Sequence, residues 1–271
     1  MSKMKNIDTT VYVFDVDGVL CDIGQDINPD VVQWLARLLD SPAFVAINTG
    51  RGYDRIGGEV VALLRECLQN SASLDRLLVS TEMGGVITKF DDGQESQQYT
   101  EYSMSQELKQ RAVDVYFASG SDTIMSNYIK QSMATFVKLS EVSQEDFERQ
   151  KSELVERLRG ALDGEDVTIA TTAESVDVYA RTAGKQAGAK LIMEWVKSVS
   201  DIHHDTFVCF GDSTSDYEMV RYFATQDADT TFVFTGENLS VDEHDHVKVV
   251  DTVGRYTAGT LEYLSRVSKE L

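Results

Sequence analysis

The chain has 271 residues, 42% hydrophobic and 26% charged, which is room for one or two ordinary globular domains. No apolar run approaches the roughly 20 residues that a helical membrane span needs. The formal net charge of -20 repels nucleic-acid phosphates and anionic lipid, so neither nucleic acid nor membrane is an expected partner.

In chain order, Thr10 to Phe14 (TVYVF) is short, apolar and β-branched or aromatic, and reads as a buried strand ending in an acidic, glycine-containing turn. Asn28 and Pro29 offer an N-cap and a first-turn proline for a helix with Val31, Val32, Leu35, Leu38 and Leu39 on one face. A second strand is expected over Ala43 to Ile47, helical patterning from Arg51 towards Asn70, and a third strand over Arg76 to Val79. Val86 to Phe90, the Asp92-Gly93 pair and Gln98 to Tyr102 read as a hairpin. A long charged helix follows Ser143 and ends near Gly164, and Val167 to Thr171 with Val176 to Ala180 read as an antiparallel pair. Alternation then resumes: a helix from Lys185 to Val199, a strand from Thr206 to Phe210, a helix from Ser215 to Phe223 and a strand from Thr231 to Phe234.

This pattern predicts an α/β fold, a Rossmann-like parallel sheet with helices on both faces, formed by residues 1–85 and 182–271. Residues 86–181, where the βα alternation breaks, are expected to form an inserted α+β domain. The polar start of the chain, Met1 to Thr10, lacks the apolar stretch of a signal peptide, so a cytoplasmic address is expected. Cys21, Cys67 and Cys209 are widely spaced and expected to be reduced thiols. His203 with His204, and His244 with His246, lack metal-ligand spacing and are expected to be solvated loop histidines.

Ligands of open α/β sheets bind beyond the carboxyl ends of the strands, and that is where the carboxylates fall. The first strand ends in Asp15-Val16-Asp17-Gly18-Val19-Leu20. Phosphoryl transfer wants one carboxylate as nucleophile, a second as proton donor and a cation to neutralise the phosphate. The second strand runs into Asn48-Thr49-Gly50-Arg51, a hydroxyl and a glycine amide at a helix start suited to anions. The late strand ends in Gly211-Asp212-Ser213-Thr214-Ser215-Asp216, and Asp212 with Asp15 could serve Mg²⁺, which prefers oxygen ligands. Thr182-Ala183-Gly184-Lys185 opens a helix with a cation where the helix dipole prefers an anion. Lys185 is therefore expected to pair with Asp15 and phosphate, ahead of Lys190.

The ordered set DVDGVL, NTGR, Lys185 and GDSTSD resembles the haloacid dehalogenase superfamily, phosphatase branch, over most of the chain. The position of the insertion resembles the type IIB cap of trehalose-6-phosphate, sucrose-phosphate and Cof-like phosphatases and of eukaryotic-type phosphomannomutase. The resemblance implies a Mg²⁺-dependent phosphatase acting on a small phosphorylated metabolite, with sugar phosphates favoured. It implies Asp15 as nucleophile, Asp17 as general acid and base, Thr49 and Gly50 as phosphate binders, and Lys185 as the stabiliser of an aspartyl-phosphate. Asp15, Asp212 and the backbone carbonyl of Asp17 would hold Mg²⁺, with Asp216 orienting the metal's shell. Glu82, in Glu82-Met-Gly84-Gly85, resembles the family's acidic entry to the cap, while Arg51, Arg181 and Asp122 are candidate substrate contacts. A phosphomannomutase-like transferase and a catalytically silent sugar-phosphate binder are the alternatives.

Overall fold

The structure is a computed structural model that describes residues 10–200, 204–239 and 247–267. In chain order the elements are β1 (Thr10–Phe14), α1 (Pro29–Asp40), β2 (Phe44–Asn48), α2 (Tyr53–Ile56), α3 (Ala62–Cys67), β3 (Leu77–Thr81), β4 (Val86–Asp91) and β5 (Gln94–Tyr99). There follow α4 (Gln106–Ser119), β6 (Ile124–Asn127), β7 (Ala134–Lys138), α5 (Gln144–Ala161), β8 (Val167–Thr171) and β9 (Ser175–Ala180). The last are α6 (Lys185–Val199), β10 (Thr206–Gly211), α7 (Thr214–Ala224), β11 (Asp229–Phe234), β12 (Lys248–Asp251) and α8 (Thr257–Val267).

The chain divides into two compact units, one of residues 1–98 and 184–271 and the other Tyr99–Ala183. The first is built on an eight-stranded sheet in the order β12-β11-β10-β1-β2-β3-β4-β5. From β12 to β3 all neighbours are parallel. Strands buried on both faces need apolar residues at every position, and β1, β2, β3 and β10 are buried throughout. Tyr12 and Phe14 of β1 join one core with α1, α3 and Leu264 of α8. On β10, Phe207 stacks on Phe223 of α7, and Phe44 of β2 meets Trp195 of α6 edge to face. Helices therefore cover both faces, as a parallel sheet requires.

Local chemistry sets several of the boundaries. Asn28 accepts a hydrogen bond from the Asp30 amide and Pro29 occupies the first turn, so α1 starts where the NP pair says it should. The helical stretch after Arg51 is broken by a wider π-type turn, Gly57–Val61, at its glycine pair. Among the described residues no helix is long and apolar enough to cross a membrane.

The expected insertion boundary at residue 86 needs correction. β4 pairs antiparallel with β3, Val79 opposite Thr88, and β5 follows it at the sheet edge, so the hairpin belongs to the larger unit. Asp92 and Gly93 both adopt positive φ (48° and 72°), the signature of a two-residue hairpin turn. The returning strand therefore starts at Gln94, not Gln98; its exposed residues, QESQQY, offer no apolar alternation to mark it.

The smaller unit has a four-stranded antiparallel sheet, β6-β7-β9-β8, with α4 and α5 against it. Its core gathers Phe136, Phe147, Leu154, Leu158, Val176 and Val178. α5 starts at Ser143, whose hydroxyl accepts from the Asp146 amide. Cys21, Cys67 and Cys209 are free thiols. His204 is not the solvated histidine expected: it is buried, its Nε2 lies 2.8 Å from Ser200 Oγ, and its ring packs edge-on against Phe44. His203, His244 and His246 lie outside the described residues.

Candidate active site

β1, β2 and β10 are adjacent and parallel, with Phe14 level with both Ile47 and Phe210. Three motifs far apart in sequence therefore leave the sheet side by side. One carboxylate oxygen from each of Asp15, Asp212 and Asp216 lies within 4.8 Å of the others. Gly18 permits this approach: its φ is +73°, and a Cβ there would lie 2.4 Å from Asp212 Oδ2. The Thr235 hydroxyl, after β11, donates to the Gly18 carbonyl at 2.8 Å, tying the first loop in place.

Lys185 enters the cluster from the first turn of α6. Its ammonium contacts Asp15 Oδ1, lies 2.8 Å from Asp216 Oδ1, and donates to the Asn48 carbonyl at 2.7 Å. A cation at a helix N-terminus is thus offset by two buried anions. Asp216 serves two purposes, because its Oδ2 accepts from the Asp212 amide (3.2 Å), the Ser213 amide (3.1 Å) and the Ser213 hydroxyl (2.6 Å), forming the capping box of α7. It is 1% exposed.

Three carboxylates face one ammonium, so their full ionisation would leave the cluster two negative charges in excess. Burial, opposed by Lys185 and reinforced by the Asp216 charge, pushes the Asp15 carboxyl up to about 7. Burial and Asp216 likewise raise Asp212 to about 6. Against burial, Asp15 and Asp216 hold the Lys185 ammonium well above its ordinary value. Buried like charges are costly unless a counter-ion joins them. A hard divalent cation fits this all-oxygen donor set, with charge and ligand type both suited to Mg²⁺.

Asp17 stands apart from the three. Its side chain is half exposed and carries Arg51 in a fork, Nη2 to Oδ1 at 2.5 Å and Nε to Oδ2 at 3.1 Å. The Arg51 guanidinium also lies 3.6 Å from Glu59 and donates to Cys21 Sγ at 3.4 Å. Burial pushes the Cys21 thiol up to about 11 despite Arg51, which leaves it without nucleophilic thiolate near neutral pH. Thr49 is buried at the exit of β2, its hydroxyl accepting from the Arg51 amide at 3.1 Å, with Gly50 beside it.

Glu82 is buried in a short 3₁₀ turn after β3, with a left-handed φ of 53° and its amide donating to the Arg51 carbonyl. The other candidates lie in the smaller unit: Arg181 forms an exposed ion pair with Asp166 at 2.8 Å, and Asp122 accepts from Gln150 at 2.5 Å. Lys190 is half-buried and lies 4.0 Å from Glu194, outside the cluster. Two contributors escaped the sequence reading, Asn48 and Thr235. Asn48 opens the NTGR segment without a role read for it and Thr235 lies outside every motif, because the importance of both comes from carbonyls they reach across the fold.

The overall architecture matches solved structures over nearly the whole chain. The C-terminal domain of a C. albicans trehalose-6-phosphate phosphatase matches with TM-score 0.68 at 14% identity, covering 97% of this chain and 94% of that one. A haloacid dehalogenase-like hydrolase from Bacteroides thetaiotaomicron matches with TM-score 0.62 at 13% identity, covering 95% and 99%. The chain has the haloacid dehalogenase-like fold. A C-terminally truncated Plasmodium falciparum IMP-nucleotidase also shares it, with TM-score 0.57 at 12% identity, covering 96% of this chain and 71% of that one. No protein-family model and no curated protein matches the sequence. The likeness therefore resides in the backbone, and in this fold the four-residue cluster sits at the carboxyl end of the sheet, where ligands of open α/β sheets bind.

Proposed function

We propose that the chain is a Mg²⁺-dependent phosphohydrolase that moves the phosphoryl group of a small phosphorylated metabolite onto Asp15 and then onto water. The observation that carries this reading is the meeting of Asp15, Asp212 and Asp216 within 4.8 Å, with Lys185 bonded into them. A structural salt bridge needs no excess of anions, whereas a site for a divalent cation does. Bound Mg²⁺ would be held by Asp15, Asp212 and the Asp17 backbone carbonyl, with Asp216 behind them, and would supply charge neutralisation of the phosphoryl oxygens.

The chain's own residues account for the rest. An Asp15 oxygen attacks phosphorus as the bond to the leaving oxygen breaks, and Asp17 gives that oxygen a proton. Water then attacks the phosphorus of the aspartyl-phosphate, Asp17 takes the proton, and Asp15 and orthophosphate separate. Lys185 offsets charge between Asp15 and the transferring group. Thr49 and Gly50, at the head of a helical segment, would grip phosphate oxygens. Because Arg51 holds both Asp17 oxygens, proton delivery requires Asp17 to release at least one of them.

Sugar phosphates are the favoured substrate class, in keeping with the trehalose-6-phosphate phosphatase likeness. The nucleotidase likeness makes nucleotides the necessary comparison. Orthophosphate release should be measured across sugar phosphates, polyol phosphates and nucleotides, with Mg²⁺ and after chelation. Metal-dependent release that Asp15→Asn abolishes is the expected result. Full activity in that variant, or none from any substrate in the wild type, would defeat the reading.

A further inference from the structure

Asn48 closes β2 one residue before Thr49 and is completely buried. It grips one residue, 137 positions away, at both ends. Its side-chain Nδ2 donates to the Lys185 backbone carbonyl at 2.8 Å, while its own backbone carbonyl accepts from the Lys185 ammonium at 2.7 Å. The orientation of the amide is fixed by the carbonyl it faces, since only the nitrogen can donate there. Its Oδ1 consequently points away and is buried without a hydrogen-bond partner. Gly188 leaves room for it: a Cβ at that position would lie 2.0 Å from Asn48 Oδ1.

An orphaned buried acceptor is destabilising, so an apolar side chain would fill this space at less cost. The arrangement makes sense if the bond from Nδ2 is what matters. α6 begins at Gly184, which has no side chain to cap the first turn, and Lys185 is the first residue of that turn. We propose that Asn48 is a positioning residue for Lys185, fixing the first turn of α6 so that the ammonium meets Asp15 and Asp216 together. This rests on the phosphoryl-transfer reading for its kinetic consequence, but not for its structural one.

The test is a pair of variants. Asn48→Ala should lower kcat by about tenfold to a hundredfold, the scale expected when a catalytic group is displaced by around an ångström, with little change in KM. Asn48→Ala combined with Gly188→Ala places a methyl group in the vacated space; its Tm should recover while kcat does not. Recovery of kcat together with Tm would reduce Asn48 to a space-filler and overturn the proposal. If Asn48→Ala alone fails to fold, the double variant carries the measurement. A second readout needs no substrate: trace reductive methylation followed by peptide mass spectrometry, with exposed Lys197 as internal standard. Lys185 should be protected in the wild type and modified several-fold faster in the double variant; equal protection in both would also overturn the proposal. Should the wild type release no phosphate from any substrate, the phosphatase reading fails, and methylation alone decides whether Asn48 holds Lys185.

Discussion

In the larger unit Asp15, Asp216 and Lys185 are withdrawn from water, with half-buried Asp212 within a few ångströms of them. In the smaller unit the pairs Arg181–Asp166, Arg159–Glu156 and Arg149–Asp146 lie largely exposed on helix and strand ends. Exposed pairs of this kind contribute about 0–1 kcal/mol each and leave no residual charge problem. The buried cluster does leave one, because its anions outnumber its cation. Charge that a fold buries without balancing it marks a place where something else must bind, and surface pairing carries no such message.

Removing Asp15, the proposed nucleophile, should have the greatest consequence. Asp15→Asn should abolish phosphate release while leaving the fold intact, because the amide keeps the shape of the side chain and no longer has to be buried as a charge. Lys185→Met comes next. It should lower kcat by about a hundredfold to a thousandfold, the loss typical of one preorganised electrostatic contact. It should also destabilise the protein by about 3–5 kcal/mol, because Asp15 and Asp216 are left buried without their partner. Urea unfolding beside steady-state kinetics separates the two effects.

A smaller effect follows from the raised carboxyls. Asp15, at about 7, and Asp212, at about 6, bind protons more tightly folded than unfolded, where the ordinary value is 3.8. Their ionisation therefore weakens the metal-free fold: stability falls as pH rises from 3.8 through 7 and stays low above that. Chelated protein should melt at a lower temperature at pH 8 than at pH 5, and Mg²⁺ should raise Tm more at pH 8. A Mg²⁺ gain independent of pH would place the ion away from these groups.

Much of the larger unit was legible because its signals are local. β1 and α6 fall on Thr10–Phe14 and Lys185–Val199 as the apolar patterning indicates, and the DxDG, NTGR and GDSTSD segments all sit at strand exits. The smaller unit was harder to read. α4 buries only Ala112 and Val113, too little apolar periodicity to announce a helix. Its strands β6 and β7 are only four and five residues long, and the edges of the larger sheet were as hard to see, β12 having four residues and β5 being exposed throughout. What sequence could not supply was long-range: that Arg51 is forked onto Asp17, that Thr235 reaches Gly18, and that Asn48 spans both ends of Lys185.

Arg181 gives the smallest expected effect and sharpens the contrast most finely. Its Nε donates to Asp166 at 2.8 Å with both side chains mostly in solvent, and its Nη2 reaches the Glu165 carbonyl at 3.2 Å. As a surface pair it should matter little to the fold, and Arg181→Ala should change unfolding free energy by less than about 0.5 kcal/mol. Substrate contact would have a separate signature, a raised KM at unchanged stability, because a group that binds only in the complex does nothing for the free protein. An unchanged KM across the substrate panel would confine Arg181 to the surface pair. A loss of stability beyond about 1 kcal/mol would instead show that this exposed pair behaves like the buried cluster, contrary to the distinction drawn between the two units.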